Sequence, residues 1–465
     1  MPHLDRRRFL VAVAAAGLAP RLVHAGAGDD GFIVLEAAPA EAPLLGKTGK
    51  PTPVWAFGGT VPGPILRVRQ GAELKVRLVN RLAEPTMIHW HGIRIANAMD
   101  GTPLTQKPVE PGQTFDYVFT PPDAGTFWYH PHIRAAEQVE RGLYGLLIVE
   151  EADSGANWHD IPMVLDDWWL SDDGAVRGDT FGNLMVAAHA GRIGNWFTVD
   201  GRSRPVFQAP ADRPVRLRLA NTANALVMNL LIKGIPATIL AIDGQPVAPR
   251  PLEVEPLVLA PGGRVDIALP AGSDRLTLAV DMRGDPLEIA YVERTGEASG
   301  AAGDIMALPA NPLPRDLDLT GALLVDLPME GGAMGGMAGA RVGTQDLTMR
   351  QLVERGLVWS LAGYAGMPEN PVFSAAHGRT VIIVMGNRSA WPHAMHVHGY
   401  HVRLLDAAGT APADDAWRDT VLVAPEEEAR IAFVADNPGK WMLHCHMLEH
   451  QEAGMMTWFE VGAAA

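Results

Sequence analysis

One short segment near the end of the chain, residues 444–455, concentrates side chains that bind transition metals. It contains Cys445, the only cysteine among the 465 residues, with His450 five positions later and Met455 ten positions later. A thiolate, an imidazole and a weak thioether are the ligand types of a blue-copper electron-transfer site. A lone cysteine beside a histidine is more often a buried apolar residue, so the prediction of a copper centre depends on the other histidines.

Two histidines flank this cysteine directly. Alternate side chains of an extended strand share one face, so His444 and His446 are predicted to point together, away from Cys445. One strand would then reach two metal sites, and Cys445 would be the covalent bridge between them.

Ten of the 16 histidines fall in four short clusters. A single His-x-His pair is weak evidence, because zinc hydrolases and cupin-like sites also contain one. Four pairs exceed the donor number of one ion and suit about three ions with open positions for a small ligand. His393 is left as a second imidazole for the Cys445 centre. The clusters are His89 and His91; His130 and His132; His393, His396 and His398; and His444, His446 and His450.

The histidine pairs recur within a long-range repeat of the chain. Asn80 precedes His89 by nine residues, and Asn387 precedes His396 by nine residues. A third copy follows Asn221, where Leu and Lys occupy the histidine positions. Short Val, Ile and Leu runs between Gly, Pro and Asp clusters indicate β-sandwiches throughout.

The repeat predicts an all-β chain of three homologous β-sandwich domains. We place them at 30–152, 157–297 and 318–463, with an Ala/Gly/Pro-rich linker at 298–317. The first and third domains would carry the metal chemistry. The middle domain would be a spacer without copper.

Residues 1–25 have the pattern of an export signal. Paired arginines at Arg6 and Arg7 precede an apolar stretch that is too short to span a bilayer. The pattern predicts a twin-arginine signal, and a general secretory signal is the alternative. We therefore expect a periplasmic monomer exported by the twin-arginine machinery. A formal net charge of −15 argues against nucleic acid or an anionic membrane as a partner.

The four histidine motifs together resemble those of a known family. The strings are His89-Trp-His-Gly, Trp128-Tyr-His-Pro-His, His393-Ala-Met-His-Val-His-Gly and His444-Cys-His with His450 and Met455. They are similar to the four copper-binding motifs of three-domain bacterial multicopper oxidases, the laccase and cuprous-oxidase group. The resemblance implies cupredoxin-like domains and four copper ions. It also implies an oxidase that takes single electrons from a reducing substrate and reduces dioxygen to water.

The resemblance further implies which residues hold each ion. Cys445 would carry electrons from the type 1 copper to His444 and His446. Met455 as an axial thioether predicts a low to medium potential. Type 1 copper would bind His393, Cys445, His450 and Met455; type 2 copper, His89 and His396; one type 3 copper, His91, His130 and His446; and the other, His132, His398 and His444.

Reduction of dioxygen also needs proton donors. Asp100 matches the acidic position of the family near the oxygen-reducing site; it is also the first residue of an Asp100-Gly101 turn, and the two roles are compatible. Related bacterial enzymes often carry Glu where this chain has Gln451, which cannot donate a proton as an acid. Glu452 is the remaining candidate.

The electron donor is left open between two classes by the sequence. Met329, Met334 and Met337 lie in a Met/Gly insertion that is either a Cu(I) substrate site or a surface loop. Cuprous oxidases place Asp and Met ligands just before the first type 1 histidine, where this chain has Ser389 and Trp391. We therefore favour a laccase-like oxidase of phenolic donors over a periplasmic Cu(I) or Fe(II) oxidase for copper tolerance. A non-enzymatic copper-storage protein is the alternative of another class.

Overall fold

A computed structural model describes residues 31–46, 49–152, 158–252, 256–298, 305–314 and 316–463. The predicted signal peptide at 1–25 lies outside these ranges, as does part of the predicted linker. Strands dominate, and the α-helices described here contain at most six residues. Among the described residues no helix is long and apolar enough to cross a membrane. The prediction of an all-β fold is confirmed.

The first part of the chain forms a sandwich of two four-stranded sheets, ordered β2-β1-β4-β6 and β3-β8-β7-β5. Helix α1 (Ala135–Glu140) and a 3-10 turn (Asn97–Met99) connect strands. The strands are β1 (Ile33–Ala42), β2 (Thr52–Phe57), β3 (Leu66–Arg69), β4 (Leu74–Asn80), β5 (His89–His91), β6 (Thr114–Phe119), β7 (Gly125–His130) and β8 (Gly145–Glu150).

The middle part forms a six-stranded sheet, β10-β9-β12-β17-β14-β15, and a five-stranded sheet, β11-β19-β18-β13-β16. It also contains α2 (Leu184–Ala187) and a 3-10 turn (Gly178–Thr180). The strands are β9 (His159–Trp168), β10 (Trp196–Val199), β11 (Val206–Pro210), β12 (Val215–Asn221), β13 (Met228–Lys233), β14 (Thr238–Ile242), β15 (Gln245–Pro251), β16 (Leu257–Leu259), β17 (Arg264–Leu269), β18 (Leu276–Asp281) and β19 (Pro286–Thr295).

The last part has two five-stranded sheets, β20-β26-β31-β28-β29 and β25-β33-β32-β27-β30, and the short pairs β21-β24 and β22-β23. Its helices are α3 (Met349–Val353) and α4 (Leu448–Glu452). The strands are β20 (Leu323–Asp326), β21 (Met329–Gly331), β22 (Gly339–Val342), β23 (Gln345–Thr348), β24 (Trp359–Leu361), β25 (Ser374–Ala375), β26 (Arg379–Gly386), β27 (His393–Val397), β28 (Val402–Leu405), β29 (Pro412–Arg418), β30 (Thr420–Val423), β31 (Glu428–Ala435), β32 (Gly439–Cys445) and β33 (Met456–Val461).

The repeated asparagines make the same contacts in all three parts. Asn80 and Asn221 are the last residues of β4 and β12, and Asn387 directly follows β26. The Oδ1 atom of each accepts the backbone N–H two residues later, at 2.9, 3.0 and 2.9 Å. The Nδ2 atom of each donates to backbone carbonyls of a neighbouring segment. This shared turn explains why the strand that follows lies at the same place in each sandwich.

Strand pairing places the histidine motifs side by side. In the first part, His89 on β5 is opposite His130 on β7. In the last part, β27 pairs with β32, so that His396 is opposite His444 and Met395 is opposite Cys445. The histidines and Cys445 on these strands are all buried.

The methionines of the insertion do not form one exposed thioether set. Met329, on β21, is fully buried in the main hydrophobic core. Met337 is partly buried against a separate small cluster, and only Met334 is exposed, at 80%. The three methionines therefore do not share one exposed surface, because the register of β21 turns the Met329 side chain into the core.

Candidate metal centres

The first centre, which we call the cysteine centre, joins the donor atoms of His393, Cys445 and His450. The Nδ1 atoms of the two imidazoles are 3.1 Å apart, and they lie 3.6 and 3.8 Å from the Cys445 Sγ atom. Met455 is buried next to them, and its carbonyl accepts the Cys445 N–H at 3.0 Å. This cluster of two imidazole nitrogens and one thiol is a donor set that selects copper over hard cations.

Both imidazoles of the cysteine centre are oriented by bonds at their other nitrogen. His393 Nε2 hydrogen bonds to Ser389 Oγ at 2.9 Å, and His450 Nε2 donates to the His189 carbonyl at 2.7 Å. The Trp359 ring packs against both imidazoles, with centroids at 4.9 and 4.5 Å. These contacts fix the Nδ1 atoms toward the thiol, as outer partners do in metal sites.

The second centre, the histidine centre, lies between the first and last parts of the chain. His132 Nε2 and His398 Nε2 lie 3.2 and 3.0 Å from His444 Nε2. Only one nitrogen of each close pair can carry a hydrogen, so three Nε2 atoms this close cannot all be satisfied by hydrogen bonds to one another. A cation bound between them would satisfy all three.

The other histidines of this centre are equally close. Donor atoms of His89, His91 and His130 lie within 4.8 Å of one another. The His446 ring is 4.8 Å from the His91 ring, and both of its nitrogens are buried without a hydrogen-bond partner. The His396 ring lies 5.7 Å from the His89 ring. All eight paired histidines named from the sequence are therefore brought into one buried cluster.

Four of these eight imidazoles follow one pattern, in which Nδ1 donates to a backbone carbonyl. The Nε2 atoms of His89, His130 and His396 are then buried without a partner. Unpartnered buried nitrogens are costly unless a ligand satisfies them, so the residues fit bound metal ions. The carbonyl partners are Asp100 for His89, Pro131 for His130, Asp419 for His396 and Cys445 for His444, at 2.8 to 3.0 Å.

His91 reverses this pattern. Its Nε2 atom donates to Asp419 Oδ1 at 3.0 Å, and its Nδ1 atom is buried without a partner. The carboxylate thus selects the nitrogen that is left free for a metal ion, since the second partner of an imidazole sets its tautomer.

Asp100 and Asp419 form a pair with crossed contacts. The Asp100 carbonyl accepts from His89 of its own domain, and its carboxylate accepts from His398 of the last part at 3.1 Å. Asp419 does the reverse, with its carbonyl on His396 and its carboxylate on His91 of the first part. Each aspartate is fully buried and orients one histidine from each side of the centre.

The middle part also contacts the histidine centre, so the description of it as a spacer is incomplete. The fully buried Arg264, at the start of β17, donates to both Asp419 carboxylate oxygens. A Cβ atom added to Gly262 would lie 3.0 Å from the His446 and His91 rings. Gly262 and the first residue of β17 therefore pack directly on the histidine centre.

Burial governs the protonation of both centres in the metal-free chain. It lowers the pKa of His450 to about 4 and raises the pKa of Cys445 to about 12. Burial alone would raise the pKa of Asp419, but the charges of Arg264 and His91 hold it well below its usual range. Neutral imidazoles are the form that binds metal. Burial also lowers the pKa well below its ordinary value at His91, His130, His132, His393, His398, His444 and His446.

The two proton-donor candidates have different surroundings. Asp100 lies within the histidine centre, as described above. Glu452 is exposed at the end of α4, and its Oε1 atom accepts the Ala136 N–H at 2.9 Å. Within the described residues its recorded contacts include no histidine. Gln451 is buried, and its Oε1 atom has no hydrogen-bond partner.

Sequence reasoning did not identify Asp419, Arg264 or His189. Asp419 had no spacing signal, because it lies 23 positions after His396 whereas Asp100 lies 11 positions after His89. Arg264 and the His189 carbonyl had none either, since they reach the centres from the middle part, which has no histidine pairs.

Cupredoxin-like sandwiches that enclose a thiol-imidazole centre and an eight-histidine centre define a copper-binding redox protein. Family models described as multicopper oxidase match residues 40–154, 159–280 and 343–465. The structure of a multicopper oxidase from Pseudomonas thermotolerans is 36% identical, with a TM-score of 0.79, and covers 92% of this chain and 98% of that one. The chain belongs to the multicopper oxidase family.

Other relatives of this chain carry the names multicopper oxidase, metallo-oxidase and laccase. Multicopper oxidase MmcO of Mycobacterium tuberculosis is 28% identical over 98% of this chain and 96% of that protein. A Campylobacter jejuni multicopper oxidase described as a metallo-oxidase is 25% identical, with a TM-score of 0.76, over 93% of this chain and 91% of that one. Proteins named laccase also match this chain.

Proposed function

We propose that this enzyme takes single electrons from a reducing substrate at the cysteine centre and reduces dioxygen to water at the histidine centre. The observation that carries the proposal is the position of Cys445. Its thiol lies in one centre, while the adjacent residues His444 and His446 lie in the other. A storage protein has no need for this covalent link between centres.

We propose four copper ions in the arrangement expected from the sequence. Two observations support this arrangement. The Nδ1 atoms of His393 and His450 face the Cys445 thiol, and the histidine centre contains closely spaced imidazole nitrogens, several of them without a hydrogen-bond partner. The ligands would be His393, Cys445, His450 and Met455 for type 1; His89 and His396 for type 2; and His91, His130, His446 together with His132, His398, His444 for the type 3 pair.

Bound copper would supply the one-electron and oxygen chemistry that no side chain here provides. The protein contributes the short route between the centres, because one peptide unit joins Cys445 to each of the two flanking histidines. It also keeps both centres buried, so that water has little access to them. Asp100, in contact with His398 and His89, is the proposed proton donor at the histidine centre. Glu452 is the proposed surface acid that exchanges protons with solvent.

We propose a phenolic donor, oxidised at the surface next to His189. His450 is fully buried, and its Nε2–H donates to the carbonyl of His189 in the middle part of the chain. This hydrogen bond connects the cysteine centre to the surface around His189. The half-buried Trp391 ring lies 5.4 Å from the His189 ring and offers an aromatic face. His393 is bonded to the Ser389 hydroxyl, so no carboxylate ligand for a substrate metal stands at that position.

A Cu(I) oxidase is the second candidate because of two exposed thioethers. Met185 and Met334 are 69% and 80% exposed. The Ala333 N–H donates to the Ala188 carbonyl, which brings their two segments together beside His189. Thioether and imidazole are ligands that Cu(I) prefers.

Oxygen consumption with different donors separates these functions. The copper-loaded enzyme would be supplied with dimethoxyphenol, Fe(II) or Cu(I), each with and without added Cu(II). We expect dimethoxyphenol to be oxidised without added copper. Turnover of Cu(I) alone, abolished by M185L and M334L together, would instead establish the second candidate. Copper binding without oxygen uptake from any donor would indicate a storage protein.

The remaining expectations from the sequence also become proposals. We propose export through the twin-arginine machinery, a periplasmic location linked to copper homeostasis, and a monomeric state. The domain limits 30–152, 157–297 and 318–463 are supported by strand pairing, because every sheet of the described residues uses strands from one of these ranges. Cell fractionation, with and without Arg6→Lys and Arg7→Lys, tests the export route.

A further inference from the structure

We infer that Arg264 is a positioning residue for the histidine centre, although it belongs to the domain without paired histidines. It would fix Asp419, and Asp419 in turn would select the nitrogen that His91 presents to copper. The inference rests on the ligands proposed above and deepens that proposal.

Arg264 uses its whole guanidinium group in this role. Its Nε atom donates to the Thr126 carbonyl at 3.2 Å. Its Nη1 atom donates to the Gly262 carbonyl at 2.9 Å and to Asp419 Oδ1 at 2.8 Å, and its Nη2 atom donates to the Asp243 carbonyl at 3.0 Å and to Asp419 Oδ2. Five N–H groups are available on arginine, and all five have acceptors. The group is therefore held rigidly between three parts of the chain.

The fork of Arg264 holds Asp419 in one orientation. Bidentate pairing with arginine sets both the position and the plane of a carboxylate. In that orientation, Asp419 Oδ1 accepts from His91 Nε2, and the adjacent carbonyl accepts from His396 Nδ1 at 2.9 Å. The two imidazoles are thereby left with opposite free nitrogens, Nδ1 on His91 and Nε2 on His396.

The partner aspartate has no such support. Asp100 makes the corresponding crossed contacts with His89 and His398. Within the described residues, its recorded ion pairs are with these two histidines and none is with arginine or lysine. The positioning role is therefore specific to the Asp419 side of the centre, where the middle domain approaches.

Three variants separate positioning from the general effect of a lost buried cation. Arg264→Met removes the fork at similar length, and Arg264→Lys keeps a charge with fewer donors. Arg216→Met is the matched control, because Arg216 is also buried in the middle domain and pairs with Asp266 and Glu151 at 2.6 and 2.7 Å. Its recorded bonds include no histidine.

Copper titration followed by EPR is the first measurement. We expect R264M to keep the blue signal of the cysteine centre and to bind the remaining copper about 10 to 100-fold more weakly, with an altered type 2 signal. R264K should fall between R264M and the wild type. R216M should keep the wild-type copper affinities and signals even if its melting temperature falls. Unchanged copper affinity in R264M, or an equal loss in R216M, would overturn the inference.

Imidazole nitrogen NMR of the copper-free protein is the second measurement. We expect His91 to carry its proton on Nε2 in the wild type and in R216M, and to show mixed tautomers in R264M. The same tautomer in all three proteins would also overturn the inference. This comparison needs no oxidase activity, so a wild-type protein that fails to consume oxygen would refute the proposed function and leave this test decisive.

Discussion

Substitution of Gly262 by alanine should damage the histidine centre from outside the set of ligands. Gly262 has a φ of +82°, a left-handed conformation that costs a residue with a Cβ atom about 1–2 kcal/mol. The added methyl group would lie 3.0 Å from His446 Cγ and 3.0 Å from His91 Cε1. Such overpacking adds about 1–3 kcal/mol and displaces the rings.

Gly284 provides a control with the same backbone cost. Its φ is +89°, and a Cβ atom there would meet nothing within 4 Å. G284A carries only the conformational cost. The difference in unfolding free energy between the two variants therefore measures the steric overlap of the added methyl group with His446 and His91. We expect that difference to be about 1–3 kcal/mol in favour of G284A.

Melting temperature and copper content measure the two parts of this effect. The copper-free G262A protein should melt roughly 1–3 °C below copper-free G284A. G262A should also lose affinity for copper at the histidine centre by about 10 to 100-fold, as expected when outer contacts of ligands are disturbed, and should keep the blue signal of Cys445. Equal melting temperatures and equal copper content in the two variants would refute the packing argument.

Three further substitutions test the copper site at Cys445, the proton donor Asp100 and the buried carboxyl group of Asp167. Cys445→Ser removes the only thiolate, so the blue absorption and one copper per chain should disappear in optical and metal analysis while the other ions stay bound. Asp100→Asn keeps an acceptor for His398 but cannot donate a proton as an acid. Oxygen uptake should fall about 10² to 10⁴-fold at unchanged copper content, and a normal rate would exclude Asp100 as the donor. Burial raises the pKa of Asp167 to about 7, above an unfolded value of about 4, so its ionised form destabilises the fold increasingly as pH rises between these values. Asp167→Asn should therefore match the wild type near pH 4 and exceed its stability by about 1–4 kcal/mol at pH 8 in thermal melts, and no gain at pH 8 would contradict this.

The part of the site that could be predicted from the sequence is local in the chain. The His-x-His pairs and Cys445 lie on short strands, where the two-residue period fixes which side chains share a face. The repeat that begins at Asn80, Asn221 and Asn387 could likewise be found, because each copy uses the same side-chain contacts to end a strand. Spacing alone was sufficient for these features.

Contacts between distant segments could not be predicted in this way. His91 and Asp419 are 328 positions apart, and Arg264 lies 155 positions from Asp419. No local pattern relates such residues, and the sequence around Arg264 contains no histidine pair that would mark it as part of a metal site. The burial of Met329 had a similar cause, because the register of one short strand decides whether a methionine faces solvent or core.

The number of electrons consumed per dioxygen shows whether the two centres work together as one oxidase. The copper-loaded enzyme would be given a limiting amount of dioxygen and an excess of a one-electron donor, while oxidised donor and hydrogen peroxide are measured. We expect about four donor molecules to be oxidised for each dioxygen, with no peroxide released, because the Cys445 strand joins the two centres within one protein. Two donor molecules per dioxygen with release of peroxide, or no oxygen uptake with any donor, would contradict this expectation.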